Sequence, residues 1–211
     1  MLETVRTRAR QYFGDASPAH DWHHVERVET LAETLVDRHP SKGIDDRVVT
    51  LAVYLHDVGR EREDRGAIDD HATWGAREAG RILEDVDADR ETIDRVQHCV
   101  RAHRYSNDVD PETLEAKLVS DADNLDALGA VGIARVFAYG GELGQPMYDP
   151  AVPVADDETI AGATQYNHVH KKILDLPERM YTDVGRELAA ERAAFVREFL
   201  ERFDGEVAGD R

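Results

Sequence analysis

The chain has 211 residues and a mass of 23.7 kDa, a length suited to one domain spanning residues 1–211. Asp and Glu number 44 against 26 Lys and Arg, a formal net charge of −18. That balance excludes a coat for extended nucleic acid and attachment to anionic membranes by bulk charge. A single cysteine, Cys99, excludes an intrachain disulfide and a multi-cysteine zinc site.

A hydrophobic fraction of 41% is enough for a buried core at this length. No run of 18 apolar residues marks a membrane helix, and residues 1–10 lack the apolar stretch of a signal peptide, so a cytoplasmic protein is expected. Lysine occurs only at Lys42, Lys117, Lys171 and Lys172; arginine supplies the other positive charges. Carboxylate excess with little lysine is the pattern of a halophilic surface, where salt screens self-repulsion.

Apolar spacing is helical nearly throughout, and no alternating strand pair stands out. Residues 24–38 place Val25, Val28, Leu31, Ala32 and Leu35 on one stripe. Residues 47–58 are apolar almost all round, which predicts a central helix. Residues 71–83 carry Ala72, Gly75, Ala76, Ala79 and Gly80, small enough for close packing. Helices are expected over 91–103, over 111–128 with Pro111 in the first turn, over the short apolar 131–139, over 164–174 and over 178–203. Breaks fall at 14–18, 40–43, 106–111 and 140–154, the last an ordered functional loop, and 204–211 reads as a frayed tail. The expected fold is an all-α helical bundle.

Ten histidines are many for this length. The most informative pair is His56-Asp57, at the end of the most apolar helix. A carboxylate buried there costs several kcal/mol unless paired or bound to a cation. His24, at a helix start, and Asp123, within an apolar helix, are further ligand candidates. Two imidazoles and two carboxylates suit a divalent ion with open positions for water or substrate.

The ordered set of His24 with Arg27-Val28, then His56-Asp57, then Asp123-Asn-Leu-Asp126 resembles the HD superfamily of metal-dependent phosphohydrolases. A bacterial and archaeal single-domain subgroup is similar also at residues 20–24, 121–135 and 137–141, and at Asn167-His168 with Lys172. The resemblance covers residues 15–203 and implies a helical HD-domain bundle. It implies a metal held by His24, His56, Asp57 and Asp123, the ion being Mn, Fe, Co, Ni, Zn or Mg. His23 and Asp121 are the rivals of His24 and Asp123.

Asp57 is read as both ligand and orienter of the attacking water, whose pKa a metal lowers toward neutrality. His71 and His103 are the further catalytic candidates, through a second metal, phosphate contact or proton donation. His98 lies five residues before His103, about 140° round the helix, so the two do not face one ion. Arg60, Arg135, Tyr139 and Lys172 are candidate substrate contacts, since an anionic protein needs local cations to hold phosphate. Arg135 has the alternative of pairing with Asp126 or Asp121. Glu61 reads as a solvated glutamate, His168 as a pocket residue or a structural one, and Trp22 and Trp74 as core or wall aromatics.

The expected function is hydrolysis of a small phosphorylated substrate, a nucleotide, by a monomer or homo-oligomer. The alternatives are a nucleotide-binding module without turnover and a di-iron oxygenase. The oxygenase requires His71 and either His98 or His103 at the metals.

Overall fold

Aspartate starts four of the helices in the first half of the chain. Asp21, Asp45, Asp70 and Asp89 each accept a hydrogen bond from a backbone N–H of the helix that follows, at 2.8–3.3 Å. These caps satisfy donors that the helix itself leaves open. Part of the acidic excess is therefore structural. The computed structural model describes residues 1–104 and 109–210; among them no strand occurs and the fold is all-α.

The helices are α1 (Leu2–Arg10), α2 (Trp22–Arg38), α3 (Asp46–Leu55), α4 (Arg60–Asp64), α5 (His71–Glu84), α6 (Arg90–Ala102), α7 (Leu114–Asp126), α8 (Gly129–Glu142), α9 (Gln165–His168) and α10 (Asp183–Ala208). The chain divides within α7 into two compact units, residues 1–123 and 124–211.

In residues 1–123, α3 is central, packed against α1, α2, α5 and α6. Leu51, Ala52, Val53 and Leu55 have no exposed surface. The small residues of α5 bring it close to α6. The chain leaves α3 through Gly59, where a Cβ would lie 2.8 Å from the His71 carbonyl oxygen. Only glycine allows that approach, which draws α4 against the start of α5.

In residues 124–210, α8 packs on α10 and on α9. Phe137, Phe199, Phe203, Tyr166 and Tyr148 form a chain of ring contacts with centroids 5.3–6.0 Å apart. Tyr148 anchors the segment between α8 and α9 to this cluster. Asp157 anchors it again: the buried carboxylate accepts from the Thr159 N–H and hydroxyl, the Ala163 N–H and the Asn167 amide at 2.6–2.9 Å.

Several sequence expectations are corrected. Helices α1 and α4 carry no readable apolar stripe: α1 buries only Val5 and Ala9, and α4 buries nothing. The ion pairs Arg60–Asp64 (3.1 Å) and Glu61–Arg65 (2.8 Å) support α4 instead. Helix α7 begins at Leu114, not at Pro111. Gly140 and Gly141 lie inside α8 rather than opening a loop. A Cβ on Gly140 would fall 2.1 Å from Gln165 Cδ, so that glycine serves packing. The helix expected over 164–174 is α9 followed by a π-helical turn, Val169–Ile173. Glu178 belongs to a 3-10 turn, and α10 starts only after the Thr182 cap. The tail is helical to Ala208, held by Tyr166 Oη–Asp204 (2.7 Å) and Arg202–Glu206 (2.6 Å). Of the remaining expectations, residues 106–108 and Arg211 lie outside the described residues.

Candidate metal centre

Helix ends deliver the site. The Asp21 cap sets His24 in the first turn of α2, and the Asp70 cap makes His71 the first residue of α5. His56 follows the last residue of α3, with Asp57 in the next turn, and His103 follows the last residue of α6. Asp123 comes from α7. All four histidines are buried, with at most 2% exposure.

Two trios result, His24–His56–Asp123 and Asp57–His71–His103, each with ligand atoms within 4.8 Å of one another. His24 Nε2 lies 3.2 Å from His56 Nε2 and 3.4 Å from Asp123 Oδ1. His71 Nε2 lies 3.3 Å from His103 Nε2 and 3.2 Å from Asp57 Oδ1. The Asp57 carboxylate joins the trios: its Oδ2 is 3.6 Å from His24 Nε2 and 3.7 Å from His56 Nε2, while its Oδ1 faces His71 and His103.

The donor set fits a cation. His56 and His103 donate Nδ1–H to the Val53 and Val100 carbonyl oxygens, both at 2.7 Å, and His71 donates Nδ1–H to Glu63. In the neutral rings the proton is therefore on Nδ1, and each Nε2 turns a lone pair inward. Lone pairs then face lone pairs and carboxylate oxygens, an arrangement that a positive ion satisfies.

Charge states follow from the same contacts. Burial pushes His56 down to about 4, against the opposing pull of Asp57 and Asp123. Burial also lowers His71, but hydrogen bonds that the protonated ring donates to the Asp57 and Glu63 carboxylates outweigh it and raise the ring to about 9. Burial raises Asp57 and Asp123, and the surrounding imidazoles override it, holding both well below the usual carboxylate range. Glu63 falls to about 2: burial opposes the shift, and His71 and Arg104 drive it.

The structure places the expected residues as follows. His24, His56, Asp57, Asp123, His71 and His103 come together. His23 does not: it is largely exposed beside Glu26 at 3.0 Å. Asp121 is buried but belongs to neither trio. His98 turns away and accepts from the Glu112 N–H at 3.0 Å. Arg60 pairs with Asp64, and Glu61 with Arg65. Arg135 pairs with buried Asp126 at 2.8 Å. Tyr139 lies one turn beyond Arg135 on α8, half-buried, and Lys172 sits half-buried on the π-helical turn. Its neighbour Lys171 donates to the Thr159 carbonyl at 2.8 Å, and His168 donates to the Ala161 carbonyl at 2.7 Å, so both secure the segment before α9. Trp22 packs edge-on to Phe13, and Trp74 edge-on to Tyr12.

Sequence reasoning missed Glu63 and Arg104. Glu63 contacts His71 through one oxygen and Arg104 Nη1 through the other, at 2.8 Å. Glu63 sits in a charged run where Glu61 looked equivalent. Only the three-dimensional path distinguishes them.

The sequence model of the HD domain family matches residues 21–128, and the chain belongs to that family. YpgQ of Bacillus subtilis is 33% identical over 211 residues, covering 98% of this chain and 94% of that protein. An HD-superfamily hydrolase structure from Bacillus thuringiensis aligns with a TM-score of 0.74 at 31% identity, over 98% of this chain and 96% of that one. The structure of Bacillus subtilis YpgQ in complex with ADP aligns with a TM-score of 0.77 at 29% identity, over 99% of both chains.

Proposed function

We propose that this protein is a divalent-metal-dependent phosphohydrolase acting on nucleotides or related phosphoesters, including release of pyrophosphate from nucleoside triphosphates. The observation that carries the reading is the inward convergence of imidazole lone pairs and carboxylate oxygens among buried helix ends. Nucleotides are favoured by the ADP bound in the YpgQ structure.

His24, His56, Asp57 and Asp123 are the proposed ligands. When bound, such an ion would neutralise charge at a phosphoryl group and acidify water. Asp57, with one oxygen toward each trio, orients the nucleophile with the oxygen that faces His71 and His103. His71 and His103 are proposed to ligate a second ion together with Asp57, to contact the phosphate or to pass a proton to the leaving group. Arg60, three residues past Asp57, is a proposed phosphate contact, and Arg135, Tyr139 and Lys172 are proposed to contact substrate.

The test is a panel of nucleotides and phosphoesters run with Mn²⁺, Fe²⁺, Co²⁺, Ni²⁺, Zn²⁺ and Mg²⁺, with product identification. Metal-dependent release of pyrophosphate or orthophosphate is expected; no turnover with any metal overturns the proposal. Asp57→Ala and His56→Ala should each lower turnover by about 10²-fold or more and reduce metal content. A fully active, metal-replete Asp57→Ala variant refutes the site.

The second trio favours one further reading. Six candidate ligands in two trios, with Asp57 facing both, are also what a di-iron oxygenase requires. About two irons per chain with oxygen uptake, and no phosphate release, would establish that reading instead.

A further inference from the structure

We propose that Glu63 is a positioning residue that fixes the proton of His71 on Nδ1, and that Arg104 holds Glu63 as an obligate acceptor. The proposal rests on the metal-centre reading above and assigns a role to residues outside the ligand set.

The reason lies in where each histidine sits on its helix. His56 and His103 follow helix C-termini, where carbonyls three residues back are open. Their Nδ1–H groups use those of Val53 and Val100. His71 is the first residue of α5 and has no helical carbonyl behind it. Its Nδ1–H depends on a side chain from another element, Glu63 of α4. A carboxylate can only accept, so the ring proton is held outward and Nε2 stays open toward Asp57 Oδ1 and His103 Nε2.

Arg104 decides what an amide would do at position 63. A guanidinium can only donate, and it already claims Oε1 at 2.8 Å. In Glu63→Gln the single amide oxygen is contested, and the charged donor takes it. The NH₂ then faces His71 Nδ1, which must give up its proton to Nε2. That proton points into the trio and removes its lone pair. Removing Arg104 frees the oxygen to turn back to His71.

The experiment uses the full chain as wild type, Glu63→Gln, Arg104→Met and the double variant, with Mn²⁺ as the probe in calorimetric titration. Loss of a partner of this kind weakens metal binding about 10–100-fold. That loss is expected in Glu63→Gln, with recovery in the double variant and near-wild-type binding in Arg104→Met. Long-range proton–nitrogen spectra of metal-free protein, recorded at a pH where the His71 ring is neutral, give the tautomer directly. His71 should carry its proton on Nδ1 in every protein except Glu63→Gln, where it moves to Nε2. An unchanged tautomer in Glu63→Gln, or a double variant that recovers neither tautomer nor affinity, overturns the proposal. Absence of Mn²⁺ binding by wild type would overturn the metal-centre reading, while the spectra still decide the role of Glu63.

Discussion

Arg135 has two uses to choose between, and its surroundings weigh on the choice. Its guanidinium sits 2.8 Å from Asp126, whose side chain is 2% exposed. Breaking such a pair removes one partner of a buried charge and costs on the order of 3 kcal/mol. Arg135→Ala should therefore lower the unfolding free energy measured in urea by a comparable amount. A phosphate contact would instead raise the Michaelis constant at unchanged stability, and the two measurements separate the roles. Asp157 belongs to the same scale. Hydrogen bonds from the Thr159 hydroxyl, then from the Ala163 N–H and Asn167, hold its pKa below the ordinary value. A depressed folded-state pKa stabilises above the unfolded value of about 3.9, and the benefit is lost as pH falls through the folded value. Amide shifts of Thr159 and Ala163 should report loosening only below about pH 4. Asp157→Asn should abolish that titration.

Helix α3 shows how an element converts core packing into a site. Its apolar surface fixes its position among α1, α2, α5 and α6, and that position decides where His56 and Asp57 emerge. Leu55, fully buried, adjoins His56. Leu55→Ala should cost about 2–5 kcal/mol in denaturant unfolding, through lost transfer energy and the cavity left behind. Metal affinity should fall with it; a stability loss with unchanged affinity would mean that the helix end is held independently of its core. Helix α4 is the contrasting case. It buries nothing, and ion pairs along its surface sustain it, yet it supplies the carboxylate that meets His71.

For the whole molecule, the charge of −18 sets a condition on stability. Four aspartates are consumed as helix caps and others in ion pairs, but the acidic excess remains. Screening shortens the reach of that repulsion from about 10 Å at 0.1 M salt to about 3 Å at 1 M. The melting temperature should rise over that range, and an unchanged value in dilute buffer would contradict the halophilic reading. No helix among the described residues is long and apolar enough to cross a membrane.

The all-α class, most helix positions and the central place of α3 were legible in the sequence, because apolar period acts locally. His56 and Asp57 stood out as ionisable groups ending an apolar helix, and the resemblance to the HD superfamily singled out His24 and Asp123 over His23 and Asp121; the structure brings His24, His56 and Asp123 into one trio and Asp57 beside it. The helical phase around His98 and His103 separated those two correctly in space: one meets the Glu112 N–H and the other enters a trio. Glycines and prolines misled, since Gly140 serves packing within a helix and Pro111 lies outside one. The sequence by itself determined which groups must be buried and therefore compensated. Only the tertiary structure decided how they compensate one another: that Asp57 faces both trios, that Glu63 rather than Glu61 reaches His71, and that Arg135 meets Asp126. Those outcomes depend on ångström distances between elements far apart in the chain, and no periodicity along the backbone encodes such distances.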